Sequence, residues 1–244
     1  MVITSLDNEK VKKFRKLQKK KFRDQYNQYI VEGKHLVIEA FKMGVLEELI
    51  LLENEDLPLP SPYNYYSSEV ISKISMMDTP SSVMGLCHKR EKEDISGKKI
   101  LVLDDIQDPG NLGTIIRSAA AFNVDTIILT ENTVDLYNPK VLRATQGMLY
   151  YVNIITRMDV ELESILKNID IPVYGTDVYG GVEAATLTKE EKSEFVLVMG
   201  NEGNGVRDNI KAVCDRNLYI PMNKDVESLN VAVATSILLY EMGR

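Results

Sequence analysis

Apolar residues in the second half of this chain fall into short unbroken runs separated by longer stretches with helical spacing. Ile-Leu-Val-Leu at 100–103 and Phe-Val-Leu-Val-Met at 195–199 show no polar alternation. Such runs suit strands buried on both faces of a parallel sheet. The pattern predicts strands over residues 99–104, 126–130, 172–176, 195–199 and 217–220. It predicts helices over 111–122, 139–144, 160–167, 206–214 and 228–242, the last with Val231, Ala234, Ile237 and Leu238 as its buried stripe. Regular alternation of this kind predicts an α/β domain whose ligand sits at the carboxyl ends of the strands.

The first half reads less regularly. Strands are predicted at 29–32, 48–52 and 83–88, and a loop with an edge strand at 57–66. Helices are predicted at 33–43 and after Ser67 or Ser68, where Val70, Ile71 and Ile74 have helical spacing. The charged run 90–99 interrupts the apolar periodicity and marks a linker, giving domains 1–94 and 95–244.

Charge changes the picture. The chain of 244 residues carries a net −7, which taken as an average disfavours a partner rich in phosphate. Residues 10–23, however, hold nine Lys or Arg and no carboxylate; the remainder has 20 basic against 36 acidic residues, a net −16. Lys12, Lys13, Arg15, Lys19, Lys20 and Arg23 therefore form a basic arm, which Lys34 and His35 extend. Phe14, Phe22 and Tyr26 lie among these cations, and aromatic rings beside Lys or Arg can stack on unpaired bases. No apolar stretch reaches membrane-spanning length and no secretory leader is visible. Cys87, Cys214, His35 and His88 provide no metal-ligand spacing. A reduced, cytoplasmic, metal-free protein is expected.

Three segments carry candidate chemistry. Asp108-Pro109-Gly110-Asn111-Leu112-Gly113 is a turn leading into a helix on which Asn111, Thr114 and Arg117 share a face. Asn111 is expected to cap that helix. Gly200-Asn201-Glu202-Gly203-Asn204-Gly205 follows a buried strand, and its glycines permit tight turns and close ligand approach. Its Gly-x-x-Gly-x-Gly order is not that of a dinucleotide loop, and Glu202 would repel a pyrophosphate. Ile220-Pro221-Met222 precedes Ser228-Leu229-Asn230-Val231-Ala232, where Ser228 is expected to cap the last helix.

In this order the three segments resemble the motifs of the SpoU/TrmH family of RNA ribose 2′-O-methyltransferases, within the SPOUT superfamily. The resemblance implies a C-terminal α/β domain with a parallel sheet and a deep trefoil knot. It also implies a smaller N-terminal α/β domain, similar to a ribosomal-protein fold, that binds the RNA substrate. The implied cofactor is S-adenosylmethionine, held by Gly200, Ile220, Met222 and Leu229. Arg117 would contact the ribose hydroxyl and the neighbouring phosphate, with Asn111, Glu202, Ser228 and Asn230 in support. The implied assembly is a homodimer formed through the C-terminal domain. Ribosomal RNA, 23S in particular, is the expected substrate, because an added docking domain suits a bulky structured target. Transfer RNA, a non-catalytic RNA-binding factor and a nucleotide-dependent oxidoreductase are the alternatives.

Overall fold

The computed structural model describes residues 2–90, 94–178 and 180–244. The chain divides into two compact units, residues 1–91 with 135–150 and residues 92–134 with 151–244.

In chain order the first unit contains β1 (Val2–Ile3), α1 (Glu9–Lys16), α2 (Lys20–Tyr26), β2 (Gln28–Glu32), α3 (Lys34–Lys42), β3 (Leu46–Leu52), β4 (Tyr63–Tyr66), α4 (Ser68–Ile74) and β5 (Val83–His88). Its five-stranded mixed sheet runs β1-β4-β3-β5-β2, with β5 antiparallel to both neighbours. The edge strand expected within residues 57–66 is thus an interior one, because β1, too short to register in the apolar pattern, pairs outside it. Strand alternation sends Ile50, Met84 and Leu86 to one face, where Val11, Phe14 and Leu17 of the α1 region and Val70, Ile71 and Ile74 of α4 cover them. Phe14 is therefore a core residue, 1% exposed and edge-on to Tyr66, and is removed from the set of base-stacking candidates.

The second unit holds β6 (Lys99–Leu103), α5 (Pro109–Ala121) and β7 (Thr126–Thr130). After α6 (Pro139–Thr145), which lies in the segment that packs in the first unit, it continues with β8 (Asn153–Arg157), α7 (Asp159–Asn168), β9 (Val173–Thr176) and β10 (Val182–Glu183). It ends with α8 (Lys189–Ser193), β11 (Phe195–Met199), α9 (Asp208–Lys211), β12 (Arg216–Tyr219) and α10 (Val231–Met242). All pairings in its seven-stranded sheet are parallel, in the order β10-β12-β9-β11-β6-β7-β8. Ile100, Val102, Ile128, Val196 and Val198 meet Leu162 and Leu166 of α7 and Ile210 of α9. Helices α5 and α10 pack against each other, with Ser118 Oγ and Ser236 Oγ 2.7 Å apart.

Several element ends differ from the sequence expectation for local reasons. Helix α5 begins at Pro109, and its cap is Asp108, whose carboxylate accepts from the Asn111 amide at 2.8 Å. Helix α10 begins at Val231, capped by Asn230 rather than Ser228; the Asn230 side chain accepts from the amides of Ala232 and Val233. Its buried side is Val231, Ala232, Thr235, Leu238 and Leu239, while Ile237, expected inside, is 37% exposed. The helix expected over 206–214 contracts to α9, since Val206 and Arg207 complete the preceding turn. Strand β8, with mixed polar and apolar side chains, was hidden from the periodicity.

Candidate active site

Because the sheet of the second unit is parallel, the loops after β6, β9, β11 and β12 emerge at one end, and these four strands are neighbours. A cavity of about 480 Å³ opens there. Its wall takes Thr176 from the end of β9, Met199 from β11, Leu218 from β12, and Val231, Ala234 and Leu238 from α10. Gly200, Ile220, Met222 and Leu229, the four residues expected to hold a cofactor, all line it, together with Glu202 and Ser228. Thr176 and Val178 also line it. The sequence reading missed them because the loop after β9 carries no glycine signature.

The loop at residues 200–205 closes on itself. Asn201 and Gly205 exchange backbone hydrogen bonds of 3.1 and 2.9 Å, and the Asn201 side-chain oxygen accepts from the amides of Gly203 and Asn204. A Cβ on Gly200 would lie 2.0 Å from the Gly205 carbonyl carbon, so only glycine fits. Gly205 adopts φ +69°, a conformation that glycine takes without strain.

This loop is fastened to the end of β6. Asp104, 1% exposed, receives Arg207 Nε at 3.0 Å and Arg207 Nη2 at 2.5 Å, while Arg207 Nη1 donates to Asp159 at 2.6 Å. The hydrogen bond to Asp104 raises the guanidinium pKa above its ordinary value. Asp105, at φ +63°, turns its carbonyl toward Asn201 Nδ2 at 2.9 Å. A non-glycine residue in the left-handed region is a local strain held by its surroundings.

Glu202 gathers three donors: the amides of Gln107 and Asp108, each at 3.2 Å, and Asn111 Nδ2 at 3.0 Å. Burial pushes its pKa up, but the hydrogen bonds from Asn111 and the backbone amides outweigh this and leave the carboxyl below its ordinary value. Asn111 Oδ1 in turn accepts from Asn230 Nδ2 at 2.9 Å. The three sequence motifs therefore meet through side chains at one joint. Ser228 is exposed in the cavity wall and makes no part of it. Arg117 is exposed two turns along α5, outside the cavity lining, and its guanidinium has no hydrogen-bonding or ionic partner among the described residues. A guanidinium left free in this way remains available to a substrate.

The basic arm of the first unit folds as α1 and α2. Arg15, Lys16, Lys19, Lys20 and Lys21 are exposed. Phe22 and Tyr26 stack with centroids 6.4 Å apart, Lys13 lying over the Tyr26 ring and Lys16 over Phe22. Arg23 is corrected: it is 4% exposed and points inward, donating to the carbonyls of Leu17 and Gln18 and to Asp135. Lys12 pairs with Glu9 at 3.2 Å and Lys34 with Glu55 at 2.8 Å, which reduces the net charge each presents.

Residues 98–240 match the model of the SpoU rRNA Methylase family, and residues 8–85 match the MRM3-like substrate binding domain. The chain is 37% identical, over 98% of both chains, to the 23S rRNA (guanosine(2553)-2′-O)-methyltransferase RlmP of Bacillus subtilis. It is 26% identical to the mitochondrial rRNA methyltransferase 3 of Homo sapiens, over 90% of this chain and 68% of that one. The AdoMet-bound rRNA methyltransferase from Sinorhizobium meliloti superposes with a TM-score of 0.87 and 30% identity, covering 99% of this chain and 97% of the other. With its three motifs joined through Glu202, Asn111 and Asn230 beside one cavity, and these matches along nearly its whole length, the chain belongs to the SpoU rRNA methylase family.

Proposed function

We propose that this protein transfers a methyl group from S-adenosylmethionine to a ribose 2′-hydroxyl of 23S ribosomal RNA. The observation that carries this reading is the Glu202–Asn111–Asn230 joint, with Glu202 also in the wall of a cavity lined by Gly200, Ile220, Met222 and Leu229. The wall mixes apolar residues with Glu202, Glu227 and the Asp177–Lys211 ion pair, and three carboxylates against one ammonium fit a phosphate-free cofactor of positive charge. That cofactor supplies a methyl group on a cationic sulfur. The chain's own task is to bring the hydroxyl into line and to ease its deprotonation.

Arg117 is the group for the hydroxyl and its adjoining phosphate. A guanidinium is a fixed, planar cation and donor, which suits it to stabilise the developing alkoxide and grip phosphate rather than to act as an ordinary base. Asn111, Glu202 and Asn230 hold the start of α5, and with it Arg117, against the cofactor loop; Ser228 offers a hydroxyl in the cavity wall. The exposed cations of α1 and α2, with Phe22 and Tyr26, draw in the RNA.

The reading includes a deep trefoil knot in the second unit, supported by family membership. It also includes a homodimer through α10, whose Val233, Ile237 and Tyr240 are 49%, 37% and 50% exposed at i, i+4 and i+7. The unpaired thiols Cys87 and Cys214 fit a reducing compartment, so we place the reaction in the cytoplasm.

Mapping 2′-O-methylation across ribosomal and transfer RNA, with and without the gene, tests the reading. One 23S position should lose its methyl group, and the counterpart of the guanosine named for the Bacillus subtilis relative is the first to examine. Loss confined to transfer RNA, or RNA binding without any methyl transfer, would overturn it.

A further inference from the structure

The segment 135–150 lies in sequence between β7 and β8 of the seven-stranded sheet, yet it packs in the first unit. Several side-chain contacts fasten it there, among them the Tyr29 and Tyr137 rings with centroids 4.5 Å apart and three polar contacts. Arg23 of α2 donates to Asp135 through Nε at 3.1 Å and Nη2 at 2.5 Å. The hydroxyls of Tyr29 and Tyr150 lie 3.0 Å apart. His35 Nε2 donates to the Gln146 carbonyl at 3.1 Å. Gly147, at φ +84°, sits so close to α3 that a Cβ would come within 2.9 Å of Glu39.

An ion pair with side chains only 5% and 13% exposed is a poor source of stability, since desolvation offsets most of the attraction. What such a pair does supply is a defined orientation. Here it fixes the start of the segment against the helix that carries Lys20 and Lys21.

Helix α6 then presents two cations to solvent. Lys140 and Arg143 are one turn apart, both exposed, and neither side chain has a hydrogen-bonding or ionic partner among the described residues. No carboxylate occurs between Asp135 and Asp159 to neutralise them. His35 joins them, beside Gln146 at the end of α6. A guanidinium and an ammonium left unpaired on one helical face fit the phosphate backbone of a nucleic acid.

We propose that α6 is a second phosphate-contacting element of the RNA-binding unit, with Lys140 and Arg143 as its contacts. Arg23 serves it as a positioning residue. The proposal rests on the RNA methyltransferase reading above and adds a contact surface to it.

The test measures binding of an unmodified 23S rRNA transcript by the full-length protein across a series of salt concentrations. Removing two phosphate contacts in Lys140→Ala/Arg143→Ala should make the slope of log affinity against log salt shallower by about 1.4 and weaken binding several-fold at low salt. Arg143→Lys should keep the slope. Arg23→Met should lower the slope although its own side chain reaches no phosphate, and a melt like that of the wild type separates this from unfolding. An unchanged slope in the double variant overturns the proposal, as does weaker binding at unchanged slope. An Arg23→Met protein that melts normally with the full slope removes the positioning role. Failure of the wild-type protein to methylate any RNA would instead remove the methyltransferase reading, a result the salt series does not produce.

Discussion

Asn111 donates to Glu202 at 3.0 Å while accepting from Asn230 at 2.9 Å, so one amide joins residues that lie 91 and 119 positions away from it in sequence. The two bonds fix which end of the amide faces which partner. Asn111→Ala leaves Asn230 Nδ2 and one Glu202 oxygen without that partner. The joint is solvent-accessible, so the stability cost should be only about 1 kcal/mol. Methyl transfer should fall by at least about tenfold, because misplacing a catalytic element by a fraction of an ångström is costly. Steady-state kinetics alongside thermal melts would show this split; a loss of melting temperature in proportion to the loss of activity would contradict it.

Glu202 has a folded-state pKa below its ordinary value of 4.5. Its contribution to stability is therefore present above that value and lost as pH falls through the lowered one. Glu202→Gln should lower the melting temperature near neutrality, and the gap from wild type should narrow on acidification below about pH 4.5. A gap that stays constant with pH would assign the effect to shape rather than charge.

Arg117→Ala should abolish methyl transfer, with kcat falling by about 10²–10⁴-fold. Affinity for S-adenosylmethionine should stay within about twofold, because Arg117 is outside the cavity lining. Calorimetric titration beside a transfer assay decides it, and retained turnover on intact RNA would remove the role.

Gly200→Ala forces the loop open, since the new methyl would overlap the Gly205 backbone. Backbone has less room to yield than a side chain, so a cost of about 1–3 kcal/mol is expected, together with loss of cofactor binding. Titration of the purified variant with S-adenosylmethionine checks the second part.

Arg207→Met leaves the buried Asp104 carboxylate without its guanidinium. Breaking one side of such a pair costs about 3–5 kcal/mol when both partners are buried; with Arg207 35% exposed, about 2–3 kcal/mol is expected. That corresponds to a fall of roughly 4–12 °C in melting temperature, which a thermal scan would read.

Much of the second unit was legible along the chain because strands buried on both faces need unbroken apolar runs, and 195–199 and 126–130 became strands at those bounds. Chemistry at the loops was legible too: an acid at 202, in a glycine-rich turn after a buried strand, is a choice that packing alone does not explain. Helix starts were less so. The expected caps were Asn111 and Ser228, the observed ones are Asp108 and Asn230, and only the backbone path shows which amide a side chain meets.

The residue pattern on its own established the α/β character, the three motif segments and the concentration of positive charge near the N-terminus. Those features depend on neighbours within a few positions, where periodicity and turn chemistry act. The folded chain decided which charges are used where. Arg23, one of nine cations within residues 10–23, turns inward to Asp135, 112 residues away, while Arg117 is left without a partner among the described residues. A side chain's role depends on the solvent it loses and the partners it gains. Both are set by contacts between distant segments that no local pattern contains.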